Sequence, residues 1–229
     1  MNNAIKGVPW EQCRGIETTD VNDYLILIQA PIEKVAQAIS QVRQVVVWER
    51  DVYEHEIEIL AYGFIIFQFR GHSWTVISQA SSIGYSVTLD EEDAQSLSNL
   101  LHTKAICYLI SDTGLKIGYK FYNCNELLEE LYFTSEIEGE FDDEYEEEEE
   151  EDDDTKIEGT YHFQSHLRQL NAKDIENPYV FTDTFLREQD AYVPAFFHRC
   201  YLSLGQRITM RLGGLKHEDL ERMDYLVLT

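Results

Sequence analysis

The chain has 229 residues, 43 acidic and 18 basic, for a net charge of −25 at pH 7. A field of that sign repels nucleic acid and anionic membrane and attracts basic surfaces, so direct nucleic-acid binding and membrane docking are excluded as first readings. Hydrophobic residues make up 44%, and four prolines and twelve glycines are too few for a fibrous or low-complexity chain, so a globular domain with a real core is expected.

No Pro/Gly/Ser-rich linker divides the chain, and the expectation is a single α+β domain over residues 1–229. No apolar run approaches the ~18 residues of a membrane span. Met1–Gln12 lacks the apolar centre of a signal peptide. Cys13, Cys107, Cys124 and Cys200 show no CxxC spacing, and a reduced, cytoplasmic protein is expected.

Residues 1–22 have little periodicity and read as an N-terminal arm. Asp23–Gln29 is a buried strand candidate. Ala30-Pro31 then opens a helix over 31–42, with proline at its first position and Ile32, Val35, Ala36 and Ile39 on one stripe. Val45–Trp48 resumes a strand. In Glu54–Leu60 the carboxylates Glu54, Glu56 and Glu58 alternate with His55, Ile57 and Ile59, which predicts a half-buried strand with an acidic outer face. Tyr62–Phe69 and Ser73–Ile77 predict a hairpin turned at Gly71-His72, its aromatics in the core. Tyr85–Leu89 suits a short strand. Asp90 caps a second helix, with Glu91, Glu92 and Asp93 in its first turn and Ala94, Leu97, Leu100 and Leu101 as its apolar stripe.

A three-strand meander follows. Lys104–Ser111 is apolar almost throughout, so it is expected to be central and covered on both faces. Leu115–Tyr122 alternates, and Glu126–Phe133 is taken as strand because the turns at Ser111–Gly114 and Asn123-Cys124-Asn125 are so short. Glu136–Asp154 then carries fifteen carboxylates and no cation. Strand pattern resumes at Lys156–Phe163, so Glu126–Ile137 and Ile157–Gln164 are expected to pair, with residues 136–156 a disordered acidic loop at the hairpin tip. Beyond it, Thr182–Asp190 suits a short helix, Tyr192–Phe197 is apolar but broken by Pro194, Gln206–Leu212 suits a strand stopped by Gly213-Gly214, His217–Arg222 suits one or two helical turns, and Asp224–Leu228 closes as a docked strand whose pattern repeats Asp23–Leu27. The predicted architecture is a mainly antiparallel multi-stranded sheet with two principal helices and a long acidic hairpin loop.

Chemistry is sparse. There is no P-loop, dinucleotide-binding, nucleophile-elbow or zincin motif, and no cofactor or metal is expected. His162 and His166 are four apart, but His162 is read in a strand and no further ligand completes a set. His198 and Cys200 have no motif around them. Asp112-Thr113-Gly114 resembles the catalytic turn of aspartic proteases, yet it has no second copy and suits a tight hairpin. The acidic run lacks the spaced ligands and glycine of an EF-hand loop. It holds Phe141 and Tyr145, which a purely solvating loop does not need.

These observations favour a non-enzymatic acidic binding protein that docks on or inhibits a basic partner: a nuclease, a toxin or a nucleic-acid-binding protein, in the manner of an immunity protein or nucleic-acid mimic. The candidate contact residues are Glu146, Glu147, Glu148, Glu149, Glu150, Glu151, Asp152, Asp153 and Asp154 for steering, and Glu54, Glu56 and Glu58 as a structured acidic face. Two other classes compete. One is a structural subunit or scaffold of a larger cytosolic assembly, the acidic loop only solubilising; the other is an enzyme without a recognisable motif.

Overall fold

Cys124 and Asn125 carry positive φ angles of 50° and 80°, the backbone of a two-residue hairpin turn. The turn joins Asn123 to Glu126 and sets the register of the middle of the protein. The structure is a computed structural model that describes residues 22–52, 57–58, 63–79, 89–111, 116–135, 159–191, 207–208 and 220–229.

In chain order these residues form β1 (Asn22–Ile28), α1 (Ile32–Val42), β2 (Val45–Glu49), β3 (Ile57–Glu58), β4 (Gly63–Phe69), β5 (Thr75–Gln79), α2 (Glu91–Leu101), β6 (Lys104–Ser111), β7 (Lys116–Asn123), β8 (Glu126–Ser135), β9 (Gly159–Ser165), α3 (Pro178–Glu188), β10 (Arg207–Ile208) and β11 (Leu220–Leu228). Nine strands build one sheet in the order β2-β11-β4-β5-β1-β6-β7-β8-β9, and every pairing is antiparallel. β3 and β10 form a separate two-stranded pair. The α+β expectation holds, with three helices of equal length in place of two principal ones.

The sheet is covered on both faces, which explains why its central strands are apolar at successive positions. On one face Leu25, Leu27, Ile65, Phe67, Tyr108, Tyr119, Phe121, Phe133, Tyr225 and Val227 pack with Phe185 and Leu186 of α3. On the other, Ile26, Ile28, Phe64, Ile66, Cys107, Leu226 and Leu228 pack with Ile32, Val35, Ala36 and Ile39 of α1 and Ala94 and Leu97 of α2. Each such side chain, fully buried, contributes about 1.5–3 kcal/mol before the entropy of ordering is counted. The hairpin β4–β5 lies where expected, and Phe64, Phe67, Phe69 and Trp74 are all buried.

α2 keeps its predicted cap. Asp90 accepts from the amides of Glu92 and Asp93, and Asp93 returns the bond to Asp90 N. Its buried face differs, however: Leu100 is exposed, while Asp93 and Ser98 turn inward. Asp93 does so because Arg43 grips both its oxygens, at 2.8 and 2.7 Å, and ties the end of α1 to the start of α2. Pro31 is the N-cap of α1, one residue before the first helical position. α3 begins four residues earlier than expected. Asn177 accepts from Tyr179 N and Val180 N, Pro178 follows, and the expected starter Thr182 is buried with its hydroxyl on Pro178 O.

The helical turns expected over His217–Arg222 are corrected. Leu220–Arg222 begins β11, with Leu220 opposite Phe69, because pairing with the apolar strand β4 outweighs local preference. β11 is also an interior strand, between β2 and β4. The predicted pairing across the acidic run is present: β8 and β9 run antiparallel from Glu129 opposite Ser165 to Ser135 opposite Gly159. Of the strand expected over Gln206–Leu212, Arg207–Ile208 is described as β10. The N-terminal arm 1–21, residues 85–88, Asp112-Thr113-Gly114, the acidic run, Tyr192–Phe197, His198, Cys200 and Gly213-Gly214 lie outside the described residues. Among the described residues, no helix is long and apolar enough to cross a membrane.

Candidate functional site

Register places two rows of side chains across the α1/α2 face of the sheet. One runs Ile26, Cys107, Lys120, Glu130; the other runs Tyr24, Leu109, Gly118, Tyr132, His162. α2 lies over β1, β6 and β7. Beside its first turn, over β7 to β9, the sheet carries a hollow of about 450 Å³, lined among others by Tyr24, Glu91, Cys107, Lys120, Glu130, Tyr132 and His162. That is the size of a small-ligand or side-chain pocket.

Gly118 forms part of its floor. A Cβ there would stand 2.6 Å from Leu131 O and 3.4 Å from the ring of Tyr132, so glycine allows β8 and the tyrosine ring to lie this close. Tyr132 is 41% exposed. His162 Nε2 donates to Glu130 Oε1 at 2.9 Å. Lys120 pairs closely with Glu91 and stands 3.7 Å from the other oxygen of Glu130. Burial pulls the Lys120 ammonium down, but the bond to Glu91 and the fields of Glu91 and Glu130 outweigh it, and the net shift is upward. Lys120 is therefore a fixed cation at neutral pH.

Deeper in, burial and then the neighbouring Cys107 push the Tyr24 phenol above its ordinary range, and the two side chains share a hydrogen bond. Burial pushes the Cys107 thiol up to about 12. A thiol held in that state is a small apolar wall, not a nucleophile. Asp90, Glu91 and Glu92 line a second hollow that shares Tyr24 and Glu91 with the first. The α2 dipole favours carboxylates there, so the acidic rim costs the fold little.

In two other polar clusters the carboxylate is closed off by its donors, though Arg222 Nε in the second has no hydrogen-bond partner among the described residues. On the α3 face, Glu129 accepts from Tyr119 Oη at 2.7 Å, Ser165 Oγ at 2.6 Å and Arg168 Nε at 2.8 Å, while Arg168 also reaches Glu188 at 2.7 Å. Tyr119 stacks on Phe185 at 3.9 Å, and Arg168 lies over Phe181. At the opposite end of the sheet, Asp224 accepts from Trp48 Nε1, Asp51 N and Arg222, and Arg222 continues to Glu33 at 2.7 Å. Each buried carboxylate is satisfied by three donors and each network joins distant segments, which is the arrangement of structural clamps.

Glu54, Glu56 and Glu146 to Asp154 lie outside the described residues. Glu58 stands in β3 opposite Arg207 of β10. The register places Ser135 and Gly159, the described residues that flank the stretch containing the acidic run, opposite each other. Tyr132 and His162 are three residues from them, about 10 Å along the strands. The described residues contain no group of three His, Cys, Asp or Glu positioned to hold a metal ion, and His162 has Glu130 for its partner. Sequence reasoning passed over Tyr24, Lys120, Glu130 and Tyr132. The available signal was the alternation of the meander, which needs the register to say which residues share a face. No protein-family model, no curated protein and no solved structure matches this chain.

Proposed function

We propose that this chain is a non-enzymatic acidic binding protein that docks on, or inhibits, a basic protein partner. The observation that carries the reading is the fifteen-carboxylate run joined to the sheet at a β8–β9 hairpin whose two strands also wall an acid-rimmed hollow. An anionic segment steers a positive surface over roughly a Debye length of about 8–10 Å, and its effect weakens with salt. The partner is a nuclease, a toxin or a nucleic-acid-binding protein, whose phosphate-binding surface suits carboxylates. Among the described residues, support against a catalytic role comes from the buried Cys107, Asp93, Glu129 and Asp224, which are protonated or engaged by several hydrogen bonds. The reading carries a cytoplasmic location with it, and the free thiols of Cys107 and Cys124 suit a reducing compartment.

A second reading, a subunit of a larger assembly, draws on Leu167 and Val180, which are 51% and 62% exposed near the half-buried Phe163 and Phe181. One experiment separates the two: capture from host lysate on the whole chain and on a chain lacking Glu136–Asp154, washed at low and moderate salt. The docking reading expects a basic protein held by the whole chain and released by the deletion or by salt. Retention of the same partner by both chains regardless of salt overturns it in favour of an apolar interface.

A further inference from the structure

The hollow over β7–β9 differs from the two closed clusters in what its groups still offer. Among the described residues Glu130 accepts one hydrogen bond, from His162, and its second oxygen has Lys120 at 3.7 Å, an ion pair beyond hydrogen-bond length. Lys120 keeps its close contact with Glu91 whether or not that oxygen is taken. Tyr132 presents a partly exposed ring at the same wall. Among the described residues its lining carries the carboxylates Glu91 and Glu130 against one cation, Lys120, while Asp90 and Glu92 line the neighbouring hollow that shares Tyr24 and Glu91 with it. The hollow is thus anionic and aromatic-walled, and among the described residues it gathers no group of three metal-ligating side chains.

We propose that this hollow receives an arginine side chain of the basic partner, the guanidinium donating to Glu130 and lying against Tyr132. The inference rests on the docking reading above and names the contact within it. Arginine fits better than lysine because its flat fork both bonds a carboxylate and stacks on an aromatic ring, whereas an ammonium is a hydrated point charge. The acidic run follows Ser135, which lies about 10 Å along β8 from Tyr132. It draws the partner in, and the hollow fixes where one side chain lands.

The test is an amide NMR titration of the full chain with acetyl-arginine amide, and with acetyl-citrulline amide as the neutral isostere. The expected result is a saturable shift at Gly118, Glu130, Tyr132 and His162 with arginine, with a Kd on the order of 1 mM or weaker, and none with citrulline. Glu130→Gln and Tyr132→Ala each weaken it by about tenfold, and their own spectra report that they fold. Deleting Glu136–Asp154 leaves it in place. Equal shifts with citrulline, no shift at the hollow, or shifts that disappear with the deletion overturn the proposal. If the hollow takes arginine amide but the whole chain holds no basic protein, the pocket stands and the docking reading falls. If a basic protein is held and the hollow stays silent, this inference falls alone.

Discussion

Glu129 and Glu130 are neighbours in the chain and live on opposite faces of the sheet. Glu129 is sealed beneath α3, its side chain 0% exposed and gripped by a tyrosine, a serine and an arginine. Glu130 stands in the open hollow, 15% exposed, with a histidine and a distant lysine. Which carboxylate goes where is decided by a β-bulge. Tyr122 pairs with Leu127, but Phe121 pairs with Glu129, so Leu128 is the extra residue. Without it Lys120 would face Glu129, and every later side chain of β8 would change sides. The comparison teaches that the same side chain is a clamp where its lone pairs are filled and a candidate contact where they are not.

The largest break in that comparison is Glu129→Ala. It removes the buried acceptor shared by Tyr119, Ser165 and Arg168 and leaves Arg168 with the half-exposed Glu188 alone, and chemical denaturation should show a loss of about 3 kcal/mol. Restoring an apolar match with the Arg168→Met, Glu129→Leu pair should recover part of it, because a buried ion pair is worth less than its rupture costs. Next comes Gly118→Ala, on the hollow side. The added Cβ meets backbone at 2.6 Å, which a side-chain rotation cannot relieve, so β7 and β8 must part. A loss of about 1–3 kcal/mol is expected, together with a shift of the Tyr132 and Leu131 amides.

Asp23–Leu27 and Asp224–Leu228 show how far such features are legible in the sequence. The two segments read alike and both are strands, yet Leu25 and Leu27 pack toward α3 while Leu226 and Leu228 pack toward α1 and α2. Apolar pattern identifies a strand in a sheet buried on both faces but not which way it faces. The meander, the β4–β5 hairpin and the capped α2 were readable because short turns and a cap act locally, and the β8–β9 pairing was readable because strand pattern stops and resumes on either side of the acidic run. The strand at Leu220–Arg222 was not, since its cause is the partner β4, more than a hundred residues away. Nor was the hollow. It depends on the bulge at Leu128, and nothing in Glu126–Phe133 marks that residue as extra. The acidic run was plain in composition, and the structure adds that the strands flanking its stretch, β8 and β9, pair as far as Ser135 and Gly159.

A smaller effect sharpens the contrast from the floor of the hollow. The Cys107 thiol has its ordinary value of 9.0 in the unfolded chain and is held up to about 12 by burial in the native one. In that window the unfolded chain binds fewer protons, so stability is complete below pH 9 and falls as pH rises toward 12. Between pH 8 and pH 10 the loss should be about 1 kcal/mol, from a limiting slope of ~1.4 kcal/mol per pH unit. Cys107→Ala should flatten the slope whatever it does to absolute stability. Above pH 10 the buried phenols of Tyr24, Tyr119 and Tyr122 add losses of the same sign, because burial raises each of them too.

The smallest effect is the most telling one. Glu130→Gln leaves His162, an exposed side chain, and Lys120, which keeps Glu91, so no charge is stranded. Partly exposed pairs of this kind contribute about 0–1 kcal/mol, and the denaturation midpoint should move by less than Glu129→Ala moves it by a wide margin. A carboxylate that the fold hardly needs, set beside an exposed aromatic ring in an anionic hollow, is free to serve a partner. If Glu130→Gln instead destabilises as much as Glu129→Ala, the two faces are equivalent, the hollow is a second structural clamp, and the case for it as a contact site is lost.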